Sequence, residues 1–164
     1  TIQARGANGA SGANLGGGGS GGTILLRSAT SVTATTLDVS GGVGAGAGGV
    51  GRIRIDAPQI PAMSNPPFYR GPTFAIETPT ITTEAQPTWT LTGQPLTTFK
   101  YYFATADRTE LRGAFEATFA PNGVATLMAP EPLFEGFNFV CVVVEGGALE
   151  RAEATNCIEV VYLY

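Results

Sequence analysis

The sequence predicts an all-β protein in two parts, a glycine-rich segment of stacked strands followed by a β-sandwich. Three observations carry this. Charged residues are only 13% of the chain, too few to line amphipathic helices, while Gly and Thr are plentiful. Sixteen of the 23 glycines precede residue 60, whereas every aromatic residue, both cysteines and all prolines but Pro58 follow it. Within the first part, a short apolar motif returns at a fixed spacing.

Residues 1–57 read as the glycine-rich β segment. Gly21-Gly22-Thr23-Ile24-Leu25-Leu26-Arg27 recurs 29 residues later as Val50-Gly51-Arg52-Ile53-Arg54-Ile55-Asp56. Ile2-Gln3-Ala4-Arg5-Gly6 is echoed by Leu37-Asp38-Val39-Ser40-Gly41. The alternation through Arg52–Asp56 predicts a strand with one buried face, and the glycine tracts permit close backbone approach. A period of about 30 residues is the mark of a β-solenoid, yet fewer than two periods are present where roughly three are usual. An exposed strand therefore awaits a cover, from neighbouring β repeats, upstream chain, the second domain or another copy. Ile24, Leu25, Leu26, Ile53 and Ile55 are the candidates for self-association. A flexible glycine linker is the alternative, but runs such as Ile-Leu-Leu gain free energy only when buried.

The run Gly16-Gly-Gly-Gly-Ser-Gly-Gly-Thr-Ile-Leu-Leu-Arg27, then Gly44-Ala-Gly-Ala-Gly-Gly-Val-Gly-Arg-Ile-Arg-Ile-Asp56, resembles the glycine-rich repeats of large secreted proteins and lipoproteins of myxobacteria and related bacteria. The resemblance covers residues 15–57 and implies a surface location without implying an activity.

Residues 58–72 carry five prolines, and Pro58–Pro67 reads as a stiff, extended linker. Residues 73–164 then give seven candidate strands: Thr73–Glu77, Thr88–Thr92, Thr98–Ala104, Gly113–Phe119, Val124–Met128, Phe137–Glu145 and Asn156–Leu163. Pro121-Asn122-Gly123 is a hairpin signal, and Glu145-Gly-Gly147 opens another turn. Seven short strands in about 90 residues is the count of an immunoglobulin-like domain. Leu133-Phe-Glu-Gly136-Phe-Asn-Phe139 resembles the Leu-x-Pro-Gly-x-x-Tyr corner of fibronectin type III domains, with Glu135 for the proline and Phe139 for the tyrosine. That resemblance implies a core holding Trp89, Tyr101, Leu133, Gly136 and Phe139. Phe139 lacks the hydroxyl that would close the corner.

Cys141 and Cys157 fall in the last two predicted strands, opposed across a hairpin centred near Leu149. With no other cysteine and no histidine in the chain, a disulfide is favoured over a metal site, two buried thiols being the alternative. Catalysis finds little material. The absence of histidine removes the commonest general base, no Gly-x-Ser-x-Gly elbow occurs, and no Gly-Lys-Ser/Thr follows the glycine tract. Glu110, Glu116, Glu131, Glu135, Glu150 and Glu153 all lie near turns or strand edges, where a solvated carboxylate is the ordinary outcome. No catalytic residue, metal site or cofactor is expected.

Nine cations face 13 carboxylates, without the basic cluster that nucleic acid requires. No run reaches the ~20 apolar residues of a membrane span. The chain begins at Thr1 without a signal sequence, as a processed or excised piece would. The expectation is an extracellular or cell-surface structural protein, a self-associating fibre or surface subunit that pairs through its glycine-rich strands. The alternative is an adhesin or ligand-binding module for protein or glycan, in which Tyr102 or the Phe68-Tyr69 pair stacks on the ligand.

Overall fold

In a computed structural model of the chain, the structure describes residues 1–11, 16–34, 36–60, 67–75, 78–107, 111–129, 131–144 and 155–164. All regular structure among them is β, and the chain divides into two compact units, Thr1–Arg70 and Gly71–Tyr164. The turns expected at Glu145–Gly147 and Leu149, most of the stretch Pro58–Pro67, the end of the strand proposed to reach Glu77, and Glu110, Glu150 and Glu153 lie outside the described residues.

The first unit is built on parallel pairing. β1 (Ile2–Gln3) lies beside β3 (Leu37–Asp38), β2 (Thr23–Arg27) beside β4 (Arg52–Asp56), and β4 beside β5 (Tyr69–Arg70). Thr23 is in register with Arg52 and Ile2 with Leu37, so the two copies of the sequence repeat are stacked one upon the other. Residues 58–72, read from sequence as a linker, contribute β5 to this sheet, and Gln59 bridges Ser31.

The glycine tracts between these strands follow a different rule. The amides of Gly16, Gly19 and Gly22 donate to the carbonyls of Ala10, Ala7 and Ala4, at 3.4, 2.8 and 2.7 Å. Those of Gly18 and Gly21 donate to Gly46 and Gly49, at 2.8 and 2.9 Å. A period of three is that of an extended polyproline II-type helix, whereas a pleated strand has a period of two. Such a backbone bonds nothing within itself and must be satisfied by neighbours on several sides. The neighbours then come so close that only glycine fits. A Cβ on Gly18 would lie 2.0 Å from the carbonyl oxygen of Gly42, and one on Gly42 would lie 1.9 Å from that of Ala7. Where the tracts pass into strands, side chains replace this backbone packing, and Ile24, Leu37, Val39, Ile53, Ile55 and Ala57 form the unit's core.

The second unit holds two sheets. β7 (Ile81–Thr82), β9 (Thr98–Thr105), β10 (Leu111–Thr118), β12 (Gly136–Val143) and β13 (Thr155–Tyr162) form one, in the order β10-β9-β12-β13-β7. β6 (Thr73–Phe74), β8 (Thr88–Thr92) and β11 (Val124–Met128) form the other, in the order β11-β8-β6. Neighbours run antiparallel except β7 and β13. Trp89 of β8 meets Phe103 of β9 with ring centroids 5.7 Å apart, within a core that also includes Leu91, Phe99, Phe119, Val140 and Val160.

Pro121-Asn122-Gly123 does form a turn. Gly123 has a φ of +74° and the Asn122 side chain accepts the Val124 amide at 3.0 Å. It is not a hairpin, however. β10 pairs with β9 and β11 with β8, so the turn carries the chain from one sheet to the other. Buried Phe119 sits at this crossing, its ring 4.5 Å from that of Phe99.

Candidate functional site

Three places in the chain combine exposure with unusual local chemistry. The first is the strand motif of the glycine-rich unit. Of the five residues expected to mediate self-association, Ile24, Ile53 and Ile55 are buried in the core and Leu26 packs against it. Their side chains are therefore spent within the chain. Leu25 alone is turned out, 42% exposed on β2, which is the edge strand of the order β2-β4-β5.

The alternation in β4 predicts arginines on a wet face, yet Arg54 and Asp56 are buried like Ile53 and Ile55 beside them. Arg54 grips Asp56 through two parallel bonds, Nε to Oδ1 at 2.7 Å and Nη2 to Oδ2 at 2.8 Å. Arg27, in register on β2, adds its Nε to Oδ2 at 3.1 Å. A second carboxylate ties the repeats at β3. Asp38 accepts the Ser40 amide at 2.9 Å and pairs with Arg5. Hydrogen bonds from Ser40, with Arg5 beside it, hold its carboxyl below the usual carboxylate value.

The second place is the corner before β12. Phe139 carries no hydroxyl, and the structure gives the tie to the preceding residue instead. Asn138 is fully buried, accepts the Phe134 amide at 2.9 Å, and donates to the carbonyls of Phe134 and Gly136 at 2.7 and 3.0 Å. The sequence reading missed Asn138. A lone amide within the alternating apolar run 136–144 was the available signal. Phe139 is not part of the core set. It is half-buried, on the face away from Asn138 and Val140. Trp89 and Leu133 are buried, while Tyr101 is half-buried among the rings of Phe99, Phe103 and Phe115, where desolvation raises its pKa. Gly136 has a φ of +88°, which a side chain would strain.

The third place is the outer face of the five-stranded sheet. Ile81, Val161 and Phe137 stand in one row across three strands, with Ile81 64% and Phe137 60% exposed. Four residues further along the sheet, Cys141 and Cys157 are directly in register and joined by a disulfide of 2.05 Å. Cys141 is buried and Cys157 exposed, and half-buried Tyr102 lies beside Cys141 on β9. Phe68, the other aromatic considered for ligand stacking, packs against the core of the first unit, and Tyr69 lies within β5.

Glu116, Glu131 and Glu135 are all exposed, and Glu131 faces Arg112 at 3.5 Å. Among the described residues, no group of three or more His, Cys, Asp and Glu side chains is placed to hold a metal ion. Among the described residues, no helix is long and apolar enough to cross a membrane. No protein-family model, curated protein or solved structure matches this chain.

Proposed function

We propose that this chain is a non-enzymatic structural subunit of an extracellular surface, and that it associates through its glycine-rich strands. In this reading the first unit is a short β-solenoid-like stack and the second an immunoglobulin-like sandwich of fibronectin type III type. The observation that carries the reading is the edge strand β2, with Leu25 exposed on it, standing on a glycine-packed base. A strand edge offers amides and carbonyls to a neighbouring strand without needing specific side chains. The disulfide, formed by the only two cysteines, supports an oxidising compartment. Light scattering and electron microscopy of the purified chain test the proposal. Discrete oligomers or filaments are expected, and a chain that stays monomeric at high concentration would rule out the associative role.

The row Ile81–Val161–Phe137, exposed at both ends, favours a second reading, a binding module that uses the outer face of the five-stranded sheet. Immobilised glycan and matrix-protein panels test it. Saturable binding that is lost in Phe137→Ser supports a ligand role, and no binding to either panel removes it.

A further inference from the structure

We propose that the Cys141–Cys157 bridge is a thiol-exchange site on the folded protein, entered at Cys157 by a low-molecular-weight thiol and closed again by Cys141. The bridge joins registered residues of β12 and β13 on the outer face of the five-stranded sheet. Its two ends differ in access, for Cys157 is exposed whereas Cys141 is 3% exposed. A thiolate attacks a disulfide sulfur in line with the bond it breaks, and access decides which sulfur is attacked. A bridge between neighbouring strands spans the gap between them. A thiolate therefore reaches Cys141 from the β9 side and Cys157 from beyond β13. The first path is occupied. Tyr102 of β9 stands in register with Cys141, and Phe139 and Val143 flank Cys141 along β12, all three half-buried. The second path is open. β7 pairs with β13 only at Val161 and Tyr162, and among the described residues no other strand lies beyond β13 at Cys157. Pro72 does reach this stretch, its carbonyl accepting the Asn156 side chain at 3.0 Å. Asn156 alternates with Cys157, however, and so lies on the other face.

The alignment of the strands does not depend on the bridge. Eight registered pairs join β12 to β13, β9 pairs with the other side of β12, and Val140, Val142 and Val160 are fully buried on the inner face. Once the bridge opens, the two thiols stay face to face. Exchange then proceeds in balanced steps. A thiolate forms a bond to Sγ of Cys157, while Sγ of Cys141 leaves with the bonding pair and takes a proton from water. A second thiolate attacks the small-molecule sulfur of this mixed disulfide and releases Cys157 as its thiolate. One protein disulfide and two thiols become two protein thiols and one small disulfide. In the reverse direction Cys141, held in register with the adduct, attacks Sγ of Cys157, expels the small thiol and restores the bridge.

Mercaptoethanol is a suitable probe, uncharged so that exposed Glu159, on the same face of β13, does not repel it. The intact wild-type chain is incubated with it without denaturant, and free thiols are counted by alkylation and mass spectrometry. Reduction is expected at a rate proportional to thiol concentration and unchanged by low urea. The circular dichroism of the strands should be retained, and the bridge should re-form when the thiol is exchanged for its disulfide. A rate that levels off with thiol and rises with urea would mean that attack waits for unfolding, which overturns the proposal. Loss of the strand signal on reduction overturns it too. Single variants read the point of entry. With oxidised mercaptoethanol, the thiol left in Cys141→Ser should form its adduct at least about tenfold faster than the thiol left in Cys157→Ser. Equal rates overturn entry at Cys157.

Discussion

At the scale of the residue, Asn138 shows how one buried amide can fix the entry of the chain into a strand. Three hydrogen bonds converge on this fully buried amide, all from the corner that delivers the chain into β12. Asn138→Ala would strand the Phe134 amide and two carbonyls and leave a small void. Loss of buried partners costs about 1–3 kcal/mol, so the upper part of that range is expected in urea unfolding, with the m-value unchanged. Phe139→Tyr should recover none of it, because position 139 faces away from the corner. The strand that begins near Phe137 was legible in the sequence. The residue that ties it was not, because an alternating run assigns a polar residue to solvent unless its partners are known.

Elements show where periodicity misleads. In β4 the alternation Arg-Ile-Arg-Ile-Asp indicates a strand and its core face, but it implies that the charged face is wet. The structure buries Arg54 and Asp56 as a bidentate pair, and a pairing of that kind cannot be read from a period of two. Removing one partner leaves a buried, uncompensated charge. Asp56→Asn should therefore destabilise the first unit by about 3–5 kcal/mol, whereas the double change Arg54→Met with Asp56→Leu should cost far less. Thermal unfolding of the two variants separates these outcomes, and equal losses would mean that the ion pair contributes nothing beyond its volume. The glycine tracts pose the opposite problem. The sequence announces close approach without saying which glycines bear it. A Cβ on Gly42 would enter backbone that has no side chain to move aside, while one on Gly46 meets nothing. Gly42→Ala should cost about 3 kcal/mol or more through overpacking, and Gly46→Ala should leave the melting temperature unchanged.

For the whole molecule, the change of composition near residue 60 reveals two parts, but the first unit runs on to Arg70 because β5 completes its sheet. No local signal marks Tyr69–Arg70 as a strand, since its partner β4 lies across the proline-rich stretch. Each unit has its own core, one of aliphatic side chains between stacked repeats and one of packed rings between sheets. The disulfide belongs wholly to the second unit, where it joins registered residues of β12 and β13 across a sequence separation of 16. In the chain-entropy account, a crosslink closing a loop of that length stabilises by roughly 3 kcal/mol, by restricting the unfolded chain. The double variant Cys141→Ser with Cys157→Ser should lower the unfolding transition of the second unit by that amount. The backbone register of β12 with β13 should persist, because Val140, Val142 and Val160 remain to bury the inner face. Calorimetry should then resolve two transitions, with the one belonging to the glycine-rich unit unmoved. A single transition that shifts as a whole would instead mean that the two cores unfold as one cooperative body.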